Sequence, residues 1–150
     1  MTDSRKSASW RRYSALLVVY MLLVIPEVLA RPSQVQVARQ FLLAVLRGEY
    51  AAAYQLLTPE TQASLTARQF RAAVQPLRAQ AQRHGQPIDL YKLGYRIGEL
   101  NDVRSFYSFM FKSDTLAARP QVQLDVTFRD STATRILTFG LIPAPQTRRK

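Results

Sequence analysis

The chain has 150 residues, of which 47% are apolar, 21% charged and 10% aromatic. This is one domain's worth of globular composition, which excludes disorder along the whole chain. Cysteine is absent, histidine occurs once, as His84, and the formal charge is +11; disulfides, thiolate zinc sites, a cysteine nucleophile, a cysteine-linked lipid anchor and any multi-histidine metal site are therefore excluded.

Arg5, Lys6, Arg11 and Arg12 precede an apolar run from Ala15 to Ile25, which Pro26 and Glu27 interrupt. Val28 and Ala30 then stand at positions −3 and −1 of a cut after Ala30. A basic flank, a short apolar run and small residues at the cut describe a secretory signal peptide. A spanning helix wants about 20 apolar residues, whereas the uncharged stretch between Arg12 and Glu27 holds fourteen. Cleavage is the first reading. The second is an uncleaved N-terminal anchor with Arg11 and Arg12 kept in the cytoplasm. A buried helix of a cytosolic domain is the third, and it explains the basic flank least well. The expected product is exported, periplasmic or extracellular, or is tethered to the inner membrane. Residues 1–30 are the signal peptide or membrane anchor, 31–143 the folded domain and 144–150 a fraying basic tail. Without residues 1–30 the chain keeps 17 basic and 8 acidic side chains.

Residues 33–84 are rich in Ala, Gln, Leu and Arg, and residues 87–143 in Val, Ile, Phe, Tyr and Thr. Helix formers followed by strand formers predict an α+β fold. Ser33 caps a helix over about 34–47, whose apolar stripe is Val35, Ala38, Leu42, Val45 and Leu46, with Phe41 alongside. Gly48 stops it, because glycine takes the left-handed cap conformation cheaply. Glu49 starts a short helix with the face Tyr50, Ala53, Tyr54 and Leu57. Thr58-Pro59-Glu60 starts a further turn of helix that ends near Leu65. Thr66 caps a last helix from Ala67 to about Arg83. Phe70, Ala73, Val74, Leu77 and Ala81 form its apolar face, and Arg68, Arg71, Gln75, Arg78 and Gln82 the opposite one. Pro76 predicts a kink there, and His84-Gly85 an end.

Four strands follow. Ile88–Leu100 places Tyr91, Leu93, Tyr95 and Ile97 in one phase, and Lys92 and Arg96 in the other. After a turn at Asn101-Asp102, Val103–Lys112 has Tyr107, Phe109 and Phe111 in one phase and Phe106 and Met110 in the other. Gln121–Arg129 alternates cleanly, with Val122, Leu124, Val126 and Phe128 inward and Asp125 and Thr127 among the outward residues. After Asp130-Ser131, Thr132–Ile142 sets Leu137, Phe139 and Leu141 against Thr134, Ile136 and Thr138. The short turns make the pairs antiparallel.

The stretch from Gly48-Glu49-Tyr50 through Leu57-Thr58-Pro59-Glu60, continued by Leu65-Thr66-Ala67-Arg68-Gln69-Phe70, resembles the opening of nuclear transport factor two-like domains. More narrowly, it resembles their small exported bacterial members of unknown function. The resemblance implies a cone: three helices packed on a curved four-stranded antiparallel sheet, behind an N-terminal signal or anchor helix, with a pocket at the open end. It implies Tyr91, Tyr95, Tyr107 and Phe109 as pocket wall. Members of this superfamily include isomerase-like and cyclase-like enzymes as well as non-catalytic binding and oligomerisation modules.

The candidate chemistry is sparse. His84 at a helix C-terminus is favoured there by the helix dipole; work as a general base needs an orienting acid, and Asp89 is the nearest in sequence. Asp125 with Tyr91, Tyr95 or Tyr107 would copy an isomerase, a carboxylate base with phenol donors around an enolate. Its polar phase instead puts Asp125 in solvent, so no catalytic residue is assigned. The chain holds no nucleophile elbow, phosphate loop, dinucleotide fingerprint, zinc motif or calcium loop, and no cofactor or metal is expected. The row Arg68, Arg71, Arg78 is either a solvated face or a basic surface for anionic envelope lipid, polysaccharide or an acidic partner. Export argues against nucleic acid as a partner. The expected function is a non-enzymatic binding or scaffold domain of the cell envelope. Its expected partners are a small apolar ligand, an envelope protein, or a second copy paired through the sheet. The alternative is an isomerase- or cyclase-like enzyme working in the cone pocket.

Overall fold

The structure, a computed structural model, describes residues 31–98, 101–117 and 119–143. The predicted signal or anchor segment (residues 1–30) and the tail (144–150) lie outside the described residues. The chain divides into Met1–Arg31 and Pro32–Lys150, and the fold below is that of the second unit.

Local chemistry starts and stops the helices as expected. α1 spans Gln34–Arg47 behind a capping box in which the Ser33 side chain and Gln36 satisfy each other's backbone N–H groups. Gly48 ends it at φ 83°, where a side chain would be strained. α2 (Tyr50–Gln55) follows at once. Thr58 caps α3 (Pro59–Ser64), with proline in the first turn. Thr66 and Gln69 form a second capping box at α4 (Ala67–Ala73). The predicted kink is a full break: the last helix separates at Val74 into α4 and α5 (Gln75–His84). Pro76 falls in the first turn of α5, where its missing N–H costs nothing. The four helical segments read along the sequence, of which the resemblance implied three packed helices, thus become five helices among the described residues.

β1 (Ile88–Ile97), β2 (Val103–Phe111), β3 (Val122–Phe128) and β4 (Ile136–Pro143) form one antiparallel sheet in the order β1-β2-β3-β4. Two register shifts change which side chains share a face. The first lies between Leu90 and Lys92, where Leu90 pairs with Phe109 and Lys92 with Ser108. Tyr91 is the extra residue, so Ile88 and Leu90 share a face with Leu93, Tyr95 and Ile97 although their parities differ. The second lies between Thr127 and Phe128 and leaves Leu137 unmatched. It brings Ile136 to the side of Phe139 and Leu141, correcting the opposite assignment read from simple alternation.

The helices cover one face of this sheet. Phe41, Leu42, Val45, Phe70, Val74 and Leu77 are buried against Phe109, Phe111, Leu124, Val126, Phe128 and Ile136. Phe41 and Phe70 pack on Phe139 with ring centroids 5.3 and 5.5 Å away. Backbone bonds from Thr58 N–H to Ile136 C=O and from Ile136 N–H to Leu56 C=O, each 2.9 Å, stitch the α2–α3 connection to β4. A polar tie closes the other end. The Gln34 side-chain amide donates to the carbonyls of Asp130 and Ala133, and its oxygen accepts from the hydroxyls of Ser105 and Tyr107.

Candidate functional site

The α1–α2 junction delivers one aromatic ring to a group of arginines. Because Gly48 turns the chain in the left-handed conformation, Tyr50 opens α2 directly below α4 and α5. The Tyr50 hydroxyl accepts from Arg78 Nη1 at 2.8 Å and from Gln75 Nε2 at 3.2 Å. The Arg71 guanidinium carbon lies 5.0 Å from the Tyr50 ring centroid and that of Arg78 5.7 Å, both within cation–π range. A methyl group on Gly48 would stand 3.2 Å from the Arg78 guanidinium carbon, so the glycine also makes room for that side chain. Arg68 and Arg71 are exposed and line a cleft of about 520 Å³ with Tyr50, Tyr54, Gln55 and Phe70.

The electrostatics of this group are one-sided. Among the described residues, Arg68, Arg71 and Arg78 each lie farther than 4.0 Å from every carboxylate oxygen, whereas Arg39, Arg96, Arg104 and Arg129 each have an acidic partner. With two donors aimed at it, the Tyr50 oxygen accepts twice, which leaves its own O–H as the remaining donor. Guanidinium groups beside a phenolic donor suit a phosphate or carboxylate, which accepts charge-assisted hydrogen bonds from planar forks.

Sequence reasoning placed Arg68 and Arg71 correctly on the exposed side. It placed Arg78 there too, and the structure corrects this: Arg78 is half-buried against Gly48 and Tyr50. Gln75 shares the face on which the sequence placed the arginines, whereas Tyr50 was missed as a member of the group. Tyr50 reads as an apolar anchor of its own helix, and the shared face of Arg71, Gln75 and Arg78 at i, i+4 and i+7 carries no signal of a ring supplied by another helix.

The four aromatic candidates on β1 and β2 are spread out. Phe109 is fully buried in the core, Tyr107 is half-buried, and Tyr91 and Tyr95 are exposed. Tyr95 lies close enough to Tyr107 to add to the rise in the Tyr107 pKa, whose larger cause is burial of its hydroxyl. None of the four lines the Arg68–Arg71 cleft or the cleft of about 410 Å³ along α1 that Arg39, Arg47 and Glu49 border.

Asp125 is buried, which corrects its expected solvent position. Its carboxylate accepts from the Ser108 hydroxyl and from both terminal nitrogens of Arg96, the longer contact being 3.2 Å. The Arg96 guanidinium stacks 4.0 Å from the centre of the Phe106 ring, which lies across Gly94. All these groups occupy the sheet face turned away from the helices, so a base at Asp125 shares no site with Tyr95 or Tyr107. His84 stacks on Phe111 at 5.1 Å, and its Nδ1 lies 3.7 Å from buried Asp114, not near Asp89, which pairs with Arg39. Ser113 Oγ approaches the same nitrogen at 3.4 Å. Serine and acid thus meet one ring atom, an arrangement that relays no proton across the imidazole. Among the described residues, no group of three His, Asp or Glu side chains could hold a metal ion.

No family model, curated protein or solved structure matches this chain.

Proposed function

We propose that this chain is a non-enzymatic binding module of the cell envelope, exported or held at the inner membrane by its N-terminal segment, with a cone-like helix-on-sheet domain that docks an anionic partner at the Arg68–Arg71–Arg78 cluster. The observation that carries this reading is the cluster's lack of a counter-ion: two guanidiniums flank one tyrosine and no carboxylate of the described residues lies within 4.0 Å. Gathering like charges costs free energy that a bound anion offsets. The +11 charge of the chain favours the same class of partner.

The enzymatic alternative needs a buried carboxylate free to take a proton beside phenol donors. Asp125 is engaged by Arg96 and Ser108 on the opposite sheet face from Tyr95 and Tyr107, which weighs for binding.

Adsorption to phosphatidylglycerol vesicles tests the proposal. The variant Arg68→Gln/Arg71→Gln removes two exposed charges, which cost only about 0–1 kcal/mol each in stability. It should fold normally and adsorb several-fold more weakly at low salt, with the difference shrinking as the screening length falls to about 8 Å at physiological ionic strength. Equal adsorption by both proteins at low salt would reduce the cluster to a solubility feature.

A further inference from the structure

The cleft beside the arginine cluster combines apolar walls with a cationic side. α2 and α4 form its two walls, and its volume of about 520 Å³ falls in the range of about 300–1,000 Å³ typical of small-molecule sites. It is open because two of the residues facing it are small: Ala51 and Ala67 are exposed and carry only methyl groups. Tyr54 adds a ring whose polar tip is turned elsewhere. Its hydroxyl lies 3.0 Å from the Gln62 carbonyl and 2.9 Å from that of Leu65, so its proton is used inside the fold. The ring itself packs 5.5 Å from that of fully buried Phe70. Arg68 and Arg71, one turn apart on α4, supply the charge. No described residue lining this cleft is acidic, whereas the cleft along α1 is bordered by Glu49 and a further one, between α3 and β4, by Glu60.

We infer that this cleft takes up a small amphiphilic anion, with a phosphate or carboxylate group held by Arg68 and Arg71 and an aliphatic or aryl body laid between α2 and α4. Charge complementarity fixes the head. The two guanidiniums have no carboxylate of the described residues within 4.0 Å, and their planar forks match phosphate and carboxylate oxygens. The walls fix the body. A bare inorganic anion would leave the methyl groups of Ala51 and Ala67 and the Tyr54 ring in water, whereas an apolar body releases that water. A concave cleft of this size takes one molecule at a time, where a bilayer presents a plane of headgroups. The inference rests on the anionic-partner reading of the same arginines and deepens it: the arginines select charge, and the cleft beside them selects what carries the charge.

Octyl phosphate below its micellar concentration is the probe. Inorganic phosphate supplies the head without the body, and octyl glucoside the body without the charge. In the full chain, isotope-labelled methyl signals of Ala51 and Ala67 report occupancy, with exposed Ala79 on α5 as reference. Octyl phosphate should shift the two cleft signals saturably, leave that of Ala79 in place, and bind at least about tenfold tighter than either partial probe. Ala51→Leu and Ala67→Leu each fill the cleft without changing charge, and leucine is nearly as good a helix former as alanine. Each should weaken octyl phosphate several-fold while adsorption to phosphatidylglycerol vesicles stays native, because Arg68 and Arg71 remain. Octyl phosphate that binds no tighter than inorganic phosphate, or that ignores both leucine variants, overturns the inference; octyl glucoside binding as tightly as octyl phosphate overturns it in favour of a neutral apolar slot. In each of these cases, vesicle adsorption that still depends on Arg68 and Arg71 leaves the anionic-partner reading standing alone. Octyl phosphate binding that needs both arginines, beside vesicle adsorption that does not, keeps this inference and confines the anionic partner to a free molecule. If Arg68→Gln/Arg71→Gln changes neither measurement, both fall.

Discussion

The two ends of the β1–β2 hairpin are built from similar residues and meet opposite surroundings. At one end Ile88 pairs with Phe111 and Leu90 with Phe109, under the helices, and both phenylalanines are fully buried. At the other, Leu93, Tyr95, Ile97 and Val103 continue the same face and stand in solvent. Between them lies the Gln34 tie to Ser105 and Tyr107, where α1 begins and its cover stops. Strand periodicity therefore tells which side chains share a face, while the length and placement of the helices decide which part of that face is core.

The sharpest way to break the comparison is to cut one side chain at each end. Phe41 is fully buried, with ring neighbours Phe139 at 5.3 Å and Phe70 at 6.2 Å. Truncating a buried phenylalanine to alanine costs about 3–5 kcal/mol, a large share of a typical stability of about 5–15 kcal/mol. Phe41→Ala should lower Tm steeply. Ile97→Ala, at the bare end, should change stability by no more than about 0.5 kcal/mol. Comparable Tm losses for both variants would mean that the hairpin end is packed as core.

The boundary itself supplies the next effect. Gln34 is buried and makes four hydrogen bonds, to two carbonyls and two hydroxyls. Gln34→Leu keeps the volume and leaves those partners without it. A buried polar group left unsatisfied costs about 1–3 kcal/mol, so the variant should unfold at lower urea with an unchanged slope. A wild-type urea midpoint would show that water replaces the amide without loss.

How much was legible from the amino acids follows the same division between local and distant causes. The capped helix boundaries are short-range events: Ser33, Thr58 and Thr66 cap within three residues and Gly48 turns within one, so these could be read directly, whereas the break at Val74 has no side-chain cap to mark it. The inward set of β3 could also be read, because the extra residue at the Thr127/Phe128 shift belongs to β4 and leaves the β3 alternation intact. The two bulges could not. Tyr91 and Leu137 are residue types that any strand accepts, and only pairing across the sheet shows that each is an extra residue. Asp125 looked solvent-facing because its partners Arg96 and Ser108 lie 29 and 17 residues away in the chain. In the arginine cluster, the row on α4 and α5 was visible as spacing, but the tyrosine it surrounds comes from another helix.

A smaller effect separates scaffold from partner binding at that cluster. Tyr50→Phe keeps the ring beneath Arg71 and Arg78 and removes the oxygen that accepts from Gln75 and Arg78. One hydrogen bond to a charged group is worth about 1.5–3 kcal/mol when well shielded and less at a half-exposed site such as this. Tm should fall modestly, while adsorption to anionic vesicles should fall further than that stability loss explains, because the hydroxyl that positions Arg78 and offers a donor is gone. A Tm loss with undiminished adsorption would assign Tyr50 to the scaffold alone.

The smallest effect lies at the loop that backs the Gln34 tie. Asp130 Oδ1 accepts from the Thr132 hydroxyl at 2.7 Å, from the Thr132 N–H at 2.7 Å and from the Ala133 N–H at 2.9 Å. These bonds, the Thr132 hydroxyl foremost, hold the Asp130 carboxyl below the usual aspartate pKa. A folded-state pKa below the unfolded one means that the unfolded chain binds the proton first as acid is added. The contribution of Asp130 is therefore complete above the unfolded value, about 3.9, and is lost as pH falls through the lower folded value. Asp130→Asn removes this titration but keeps an oxygen that can accept. The stability difference between native chain and variant should be flat from neutral pH down to the ordinary aspartate range and should narrow only below it. Because the group is exposed, the difference should be small throughout. A gap that instead widens in acid would mean that the charge of Asp130 opposes this loop, and that the orientation of the Gln34 tie depends on the Asp130 and Ala133 carbonyls alone.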